Sequence, residues 1–210
     1  MTSRRARAIT RLVAASIALA VVLIAYALRL AVGDGNPFDF FGYFTNQTSS
    51  LSALVLMAVA FRQLRGRRIP EALAVVWGVG TAFLVVVAIV YNTLVPGTGS
   101  APPWVSAILH IVFPVFVVAD FASASDRPHL RWRALWWLLP YPCLWLAVVL
   151  VRGQTDGWVP YGFLLPERGP VSLAAHVVGI LALLMLAATS VWGLSRRRVR
   201  SRPSERAPHS

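Results

Sequence analysis

Tyr43-Phe44-Thr45-Asn46-Gln47-Thr48-Ser49-Ser50 runs without a break into Leu51-Ser52-Ala53-Leu54-Val55-Leu56-Met57-Ala58-Val59-Ala60-Phe61. Hydroxyls and amides that feed an uninterrupted apolar run read as the polar mouth of a membrane helix. At 3.6 residues per turn, Thr45, Ser49 and Ser52 fall on one stripe, with Thr48 beside it. Polar groups inside lipid are costly and turn toward protein or a wet cavity. Close helix packing by small hydroxyl residues accounts for Ser49 and Ser52. It accounts less well for the cluster Thr45-Asn46-Gln47.

The rest of the chain extends this reading. Of its 210 residues 57% are hydrophobic, and the mean hydropathy is +0.65, too apolar for an ordinary soluble domain. The net charge of +12 comes entirely from Arg; there is no Lys. These Arg cluster at 4–11, 62–68, 127–133 and 196–206, between or outside long apolar runs. That is the pattern of a polytopic membrane protein, and it argues against nucleic acid as a partner. The single Cys143 excludes an intrachain disulfide and a cysteine-rich metal site.

A spanning helix needs about 20 mostly apolar residues. Six stretches qualify, with approximate limits 9–32, 45–62, 71–95, 104–122, 134–152 and 171–194. The fold class expected is therefore all-α, a six-transmembrane-helix bundle over 1–194, followed by a disordered basic tail at 195–210. The first stretch follows an Arg-rich start, but its apolar core is longer than a cleavable signal, so it reads as a retained anchor. Seventeen Arg then fall on one side and only Arg29, Arg152 and Arg168 on the other, which places both termini in the cytoplasm. The outer loops become 33–44, 96–103 and 153–170. Trp104, Trp158 and Tyr161 mark outer boundaries, and Trp132, Trp136, Trp137 and Trp192 inner ones. Gly78 and Gly80 in the third span, and Ala175, Gly179 and Ala182 in the sixth, are expected at close helix contacts. The all-Arg, Ala/Val-rich composition is that of a GC-rich bacterium, so the membrane expected is a bacterial inner (plasma) membrane. No soluble domain or internal repeat is evident.

Several residues inside these spans carry potential chemistry. His110 lies four residues before Pro114, which offers no N–H to the His110 carbonyl and pushes it away. A kink is expected there, leaving a carbonyl that needs a partner. Two readings of His110 stand: a functional imidazole, or a neutral one satisfied by a neighbouring helix. His176 lies at similar depth in the sixth span. Two intramembrane histidines suggest a proton relay or a bis-histidine haem, although the usual b-type pattern needs two such pairs. Asn92 shares a stripe with Thr81, Val85 and Ala88, so its amide can face the bundle interior; helix capping before Pro96-Gly97 is the alternative. Asp120, at an inner helix end, is expected to pair with Arg131, Arg133 or another nearby Arg. Glu71 suits the positive end of the third helix. His129 and His209 read as solvated surface.

Topology brings Thr45, Asn92, His110 and His176 to the outer third of the bilayer. A threonine hydroxyl is a weak nucleophile until a base takes its proton, and imidazole has the suitable pKa. Thr45 with His110 would make such a pair. Asn46, Gln47 or Asn92 would donate hydrogen bonds to a developing oxyanion, and His176 is a further candidate for substrate binding. No metal site and no cofactor are called for. The sequon Asn46-Gln47-Thr48 lies at a membrane boundary, where glycosylation is sterically poor.

The chain resembles the androgen-induced-gene family of six-helix membrane proteins, specifically its bacterial branch. Three stretches carry the likeness: Tyr43 to Thr48; His110 through Pro114 to Asp120; and Tyr141-Pro142 followed by Arg152-Gly153, Gly157-Trp158-Val159-Pro160-Tyr161 and Phe163. They span most of the bundle in the expected order. Animal members are threonine hydrolases that cleave fatty acid esters of hydroxy fatty acids. The resemblance implies that Thr45 matches the catalytic threonine and His110 the catalytic histidine. Gly162 and His176 depart from the family, where Pro and Asn are usual. Two function classes remain open. One is a lipid-ester hydrolase working on a fatty acid ester within the bilayer. The other is a non-enzymatic membrane protein, a small-molecule carrier or scaffold, with haem binding through His110 and His176 as a third variant. Pro114, Pro140 and Pro142 keep a transporter in view, although discontinuous helices and repeated halves are scarce.

Overall fold

A computed structural model describes residues 2–97, 101–125 and 127–196. Among the described residues there are helices and no strands. The order is α1 (Thr2–Ala31), α2 (Pro37–Phe40), α3 (Phe44–Leu64), α4 (Glu71–Leu94), α5 (Pro103–Ala107), α6 (Phe113–Ser123), α7 (Pro140–Thr155) and α8 (Gly169–Arg196). A π-helical turn, Ile108–Val112, joins α5 to α6, and 3-10 turns at Trp132–Leu138, Gly162–Leu164 and Pro166–Arg168 complete the chain. Six stretches are long and apolar enough to cross a membrane: Arg4–Ala31, Phe44–Leu64, Glu71–Leu94, Pro103–Ser123, Trp132–Thr155 and Pro166–Arg196. They coincide with the six expected spans. The first begins earlier because the Arg-rich flank stays helical, which hydropathy does not register. The expected tail lies, beyond Arg196, outside the described residues.

Small residues build the contact between α1 and α3. Ala8, Ala15 and Val22 are buried at seven-residue intervals, as are Ala18 and Ala25 on α1, and Ala53 and Ala60 on α3. A heptad of mostly small side chains lets two antiparallel helices approach closely where no hydrophobic effect drives them together. α4 is the most enclosed span, packing on α3, α6 and α8. Its glycines behave as expected: a Cβ at Gly80 would come within 2.8 Å of the Ser52 hydroxyl, and one at Gly78 within 2.7 Å of Leu130.

The sixth span corrects its expectation. Ala175, Gly179 and Ala182 are exposed, and a Cβ at Gly179 would meet nothing within 4 Å. The buried residues of α8 all lie from Leu184 onward; nearer its start Leu173, Val177 and Ile180 are half-buried against the cluster of Val95, Val149, Phe163 and Leu164. α7 is looser still, with Val149 its one buried residue. The first half of α8 and most of α7 are therefore packed more loosely than the other spans.

The end of the bundle where α1 begins and α8 finishes is locked by arginines. Asp120 pairs with Arg11 of α1: Arg11 Nε lies 3.0 and 2.8 Å from the two carboxylate oxygens. The Arg11 guanidinium is fully buried 4.6 Å over the Trp77 ring. Arg127 donates to the carbonyls of Ser195 and Leu194 at 2.9 and 2.8 Å, holding the exposed carbonyl end of α8. His129, expected in solvent, contacts the Ser195 carbonyl at 2.8 Å. Trp192, expected in an interfacial belt, is fully buried and donates to the Arg131 carbonyl. Glu71 pairs with Arg131 at 3.1 Å.

Candidate functional site

The segment between α1 and α3 does not lie flat on the outer surface. Arg152 Nη2 holds Asp39 at 2.7 Å. Seven residues earlier on α7, Trp145 Nε1 donates to the Gly42 carbonyl at 2.8 Å. Four residues earlier again, the Tyr141 hydroxyl donates to Gln47 Oε1. These contacts step eleven residues along α7, about 16 Å at the helical rise. The segment thus descends alongside α7, and α3 starts well below the level of Arg152. Gly42 is required in this descent: a Cβ there would sit 2.3 Å from the Trp158 ring and 2.7 Å from the Phe38 carbonyl.

Thr45 is the second residue of α3 and is buried. The N-cap residue, Tyr43, makes no side-chain cap, so the first-turn N–H groups look outward with the positive end of the helix dipole. The Tyr161 hydroxyl occupies that position, interacting with the Thr45 side chain and with the backbone of Phe44 and Thr45. Burial pushes the Tyr161 phenol up to about 12, while those hydrogen bonds pull the other way. Tyr161 is therefore a neutral O–H donor throughout the physiological range. The other polar residues of the stripe are differently placed. Thr48 donates to the Phe44 carbonyl of its own helix at 2.7 Å. Ser49 and Ser52 have buried hydroxyls without a hydrogen-bond partner, in keeping with the packing role.

Thr45 and Tyr161 line a cavity of about 170 Å³ bounded by α3, α4, α7, α8 and the loop that carries Tyr161. Its walls include Val86, Val90, Leu146 and Leu184, and no charged side chain lines it.

His110 sits in the π-helical turn. Pro114 cannot donate, and the backbone responds by widening one turn, so that the Phe113 N–H reaches the Ile108 carbonyl. The irregularity expected at His110 from Pro114 takes the form of this π-helical turn; such turns recur at functional positions. His110 Nδ1 lies 2.9 Å from the Ser106 carbonyl. A carbonyl only accepts, so Nδ1 carries the proton and Nε2 is left as the basic nitrogen. The ring does not line the cavity. It stacks on Tyr91, centroids 3.5 Å apart, and Tyr91 does line it.

The remaining candidates are less central. Asn46 donates to the Phe40 carbonyl at 2.8 Å and Gln47 to the Phe41 carbonyl, so both amides tie down the descending segment. Asn92 is exposed and donates to Ala88 of its own helix at 2.7 Å; its amide does not face the interior. His176 donates from Nδ1 to the Ser172 carbonyl at 2.8 Å and lines a second hollow with Thr93 and Gly179. Neither hollow is lined by both histidines. Among the described residues, no three His, Cys, Asp or Glu side chains gather as a metal would require.

Sequence reading assigned Tyr161 to a membrane boundary and gave Tyr91 no role. The signal for Tyr161 was its place in Gly157-Trp158-Val159-Pro160-Tyr161; for Tyr91 there was none. No family profile, no curated protein and no solved structure matches this chain.

Proposed function

We propose that this six-span membrane protein is a lipid-ester hydrolase of the androgen-induced-gene family, with Thr45 as nucleophile and His110 as base. The observation that carries the reading is the position of Thr45: a hydroxyl in the first turn of a sunken helix, on the wall of an uncharged apolar cavity. Thr45 Oγ1 adds to the acyl carbonyl while its proton passes to Nε2 of His110, a transfer that requires Tyr91, stacked on the imidazole, to swing aside and admit it to the cavity. The first-turn N–H groups of α3 and the Tyr161 hydroxyl receive the developing oxyanion, taking the role that the sequence assigned to Asn46, Gln47 and Asn92. Collapse expels the alkoxide, which takes the proton back from His110. Water then adds to the acyl-threonine, releasing the fatty acid and restoring the hydroxyl.

The excess of Arg on one side supports both termini in the cytoplasm of a bacterial cell, with the Thr45 end toward the outer leaflet. Reporter fusions at the C-terminus that are active only in the cytoplasm test this orientation.

A fluorophosphonate bearing an alkyl tail, applied to the protein in membranes, tests the chemistry. Labelling is expected in the wild type and in Ser49→Ala, and is expected to vanish in Thr45→Ala. Equal labelling of the two variants ends the proposal. One observation favours the second reading, a non-enzymatic lipid carrier: His110 lies behind Tyr91 and off the cavity wall. Reversible lipid binding with no labelling of Thr45 would establish that alternative.

A further inference from the structure

Two residues of the cavity wall are also exposed on the outside of the bundle: Cys143 of α7 and Leu181 of α8. A side chain that lines a hollow and also faces the surroundings marks the mouth of that hollow. Here the mouth lies between two spans, at bilayer depth. The hydrogen bonds of α7 leave the gap unbridged. Tyr141, Trp145 and Arg152 all reach the segment 38–47 or their own helix end, and among the described residues none reaches α8. The exposed neighbours of these two residues, Leu144 and Val178, are apolar. Nothing there would hold a headgroup or water.

We propose that the gap between α7 and α8 is a lateral port, through which the acyl chain of a membrane-dissolved ester slides from the bilayer past Cys143 and Leu181. The chain fills the cavity and its polar end meets Thr45 and Tyr161. The lining has no Arg, so that end is uncharged; an anionic headgroup would be buried without a partner, at heavy cost. The proposal rests on the hydrolase reading for the fate of the ester, but the route stands on the packing of α7 and α8.

The test uses the full chain in phosphatidylcholine vesicles with the ethyl ester of a long-chain fatty acid carrying a diazirine midway along its chain. Photocrosslinks are expected to concentrate on the peptides that contain Cys143 and Leu181. They should be lost in Leu181→Trp, which plugs the mouth, and kept in Leu186→Trp, which faces lipid away from the cavity. The free fatty acid with the same diazirine, charged at its head, is expected to be captured less. Crosslinks spread evenly over lipid-facing helices, as annular lipid would give, overturn the port, as does capture unchanged by Leu181→Trp. Equal capture of acid and ester overturns the uncharged head. Ser49→Ala, whose side chain does not line the cavity, should leave the map intact. A correct map with no fluorophosphonate labelling of Thr45 removes the hydrolase reading and leaves the port standing.

Discussion

Tyr91 lies face to face with His110, ring centroids 3.5 Å apart and planes within 12°. One tyrosine thus serves as cavity wall on one side and as cover for the imidazole on the other. If His110 is the base, Tyr91 sets how the imidazole meets the cavity. His110→Ala should lower the rate of fluorophosphonate labelling at Thr45 by about 10²–10⁴-fold, the usual worth of a positioned base. Tyr91→Phe keeps the stack and should label at near the wild-type rate, whereas Tyr91→Ala should not. Time courses of labelling for the three variants check this. A His110→Ala rate equal to wild type would remove the imidazole from the mechanism.

The Arg11–Asp120 pair predicts asymmetry between single and double replacement. Both side chains are buried, and Nη1 and Nη2 of Arg11 have no hydrogen-bond partner. Removing one partner strands the other as a buried charge, at about 3–5 kcal/mol. Asp120→Leu should therefore lower the unfolding temperature in detergent sharply. Arg11→Met combined with Asp120→Leu should recover most of the loss, because two apolar side chains need no partner. A double variant as unstable as the single one would show that the pair contributes more than mutual neutralisation.

Gly42 predicts a local effect. Its absent side chain admits the Trp158 ring and lets Trp145 reach its carbonyl. Gly42→Ala forces the descending segment away from α7, at about 1–3 kcal/mol by the usual cost of overpacking. The displacement should carry Thr45 with it, so labelling should fall even at temperatures where the variant stays folded. Gly179→Ala, with open space around it, is the control and should change neither property.

The six spans were legible because about 20 apolar residues between Arg clusters have few other uses, and all six coincide with helices. Which face each helix presents was less legible. The heptads of α1 and α3 were in the sequence, but uniformly apolar surroundings hide such a pattern in a membrane protein. In α8 the small residues at 175, 179 and 182 looked like a packing face and turned out exposed. Hydropathy cannot tell lipid from protein when both are apolar. Thr45 was legible because a hydroxyl in an apolar span is conspicuous. Tyr161 was not, because an aromatic residue near a membrane boundary has a sufficient explanation in interfacial anchoring. Arg11 was hidden among other N-terminal Arg, and only the fold shows it meeting Asp120 across 109 residues of chain.

The Tyr161 phenol gives a prediction in the alkaline range. Its ordinary value is 10.0, and burial raises it to about 12 in the folded protein. The unfolded chain therefore loses this proton at lower pH than the native protein does. The stability that the neutral phenol contributes is fully present below pH 10 and is lost as pH rises toward 12. Thermal unfolding in detergent should show the wild type weakening across that interval, and Tyr161→Phe, which has no proton to lose, should weaken less. If the hydroxyl also supports the oxyanion, Tyr161→Phe should slow labelling of Thr45 at neutral pH, where the stability difference is silent. A variant that flattens the alkaline profile without slowing the labelling would assign Tyr161 to holding the start of α3 alone.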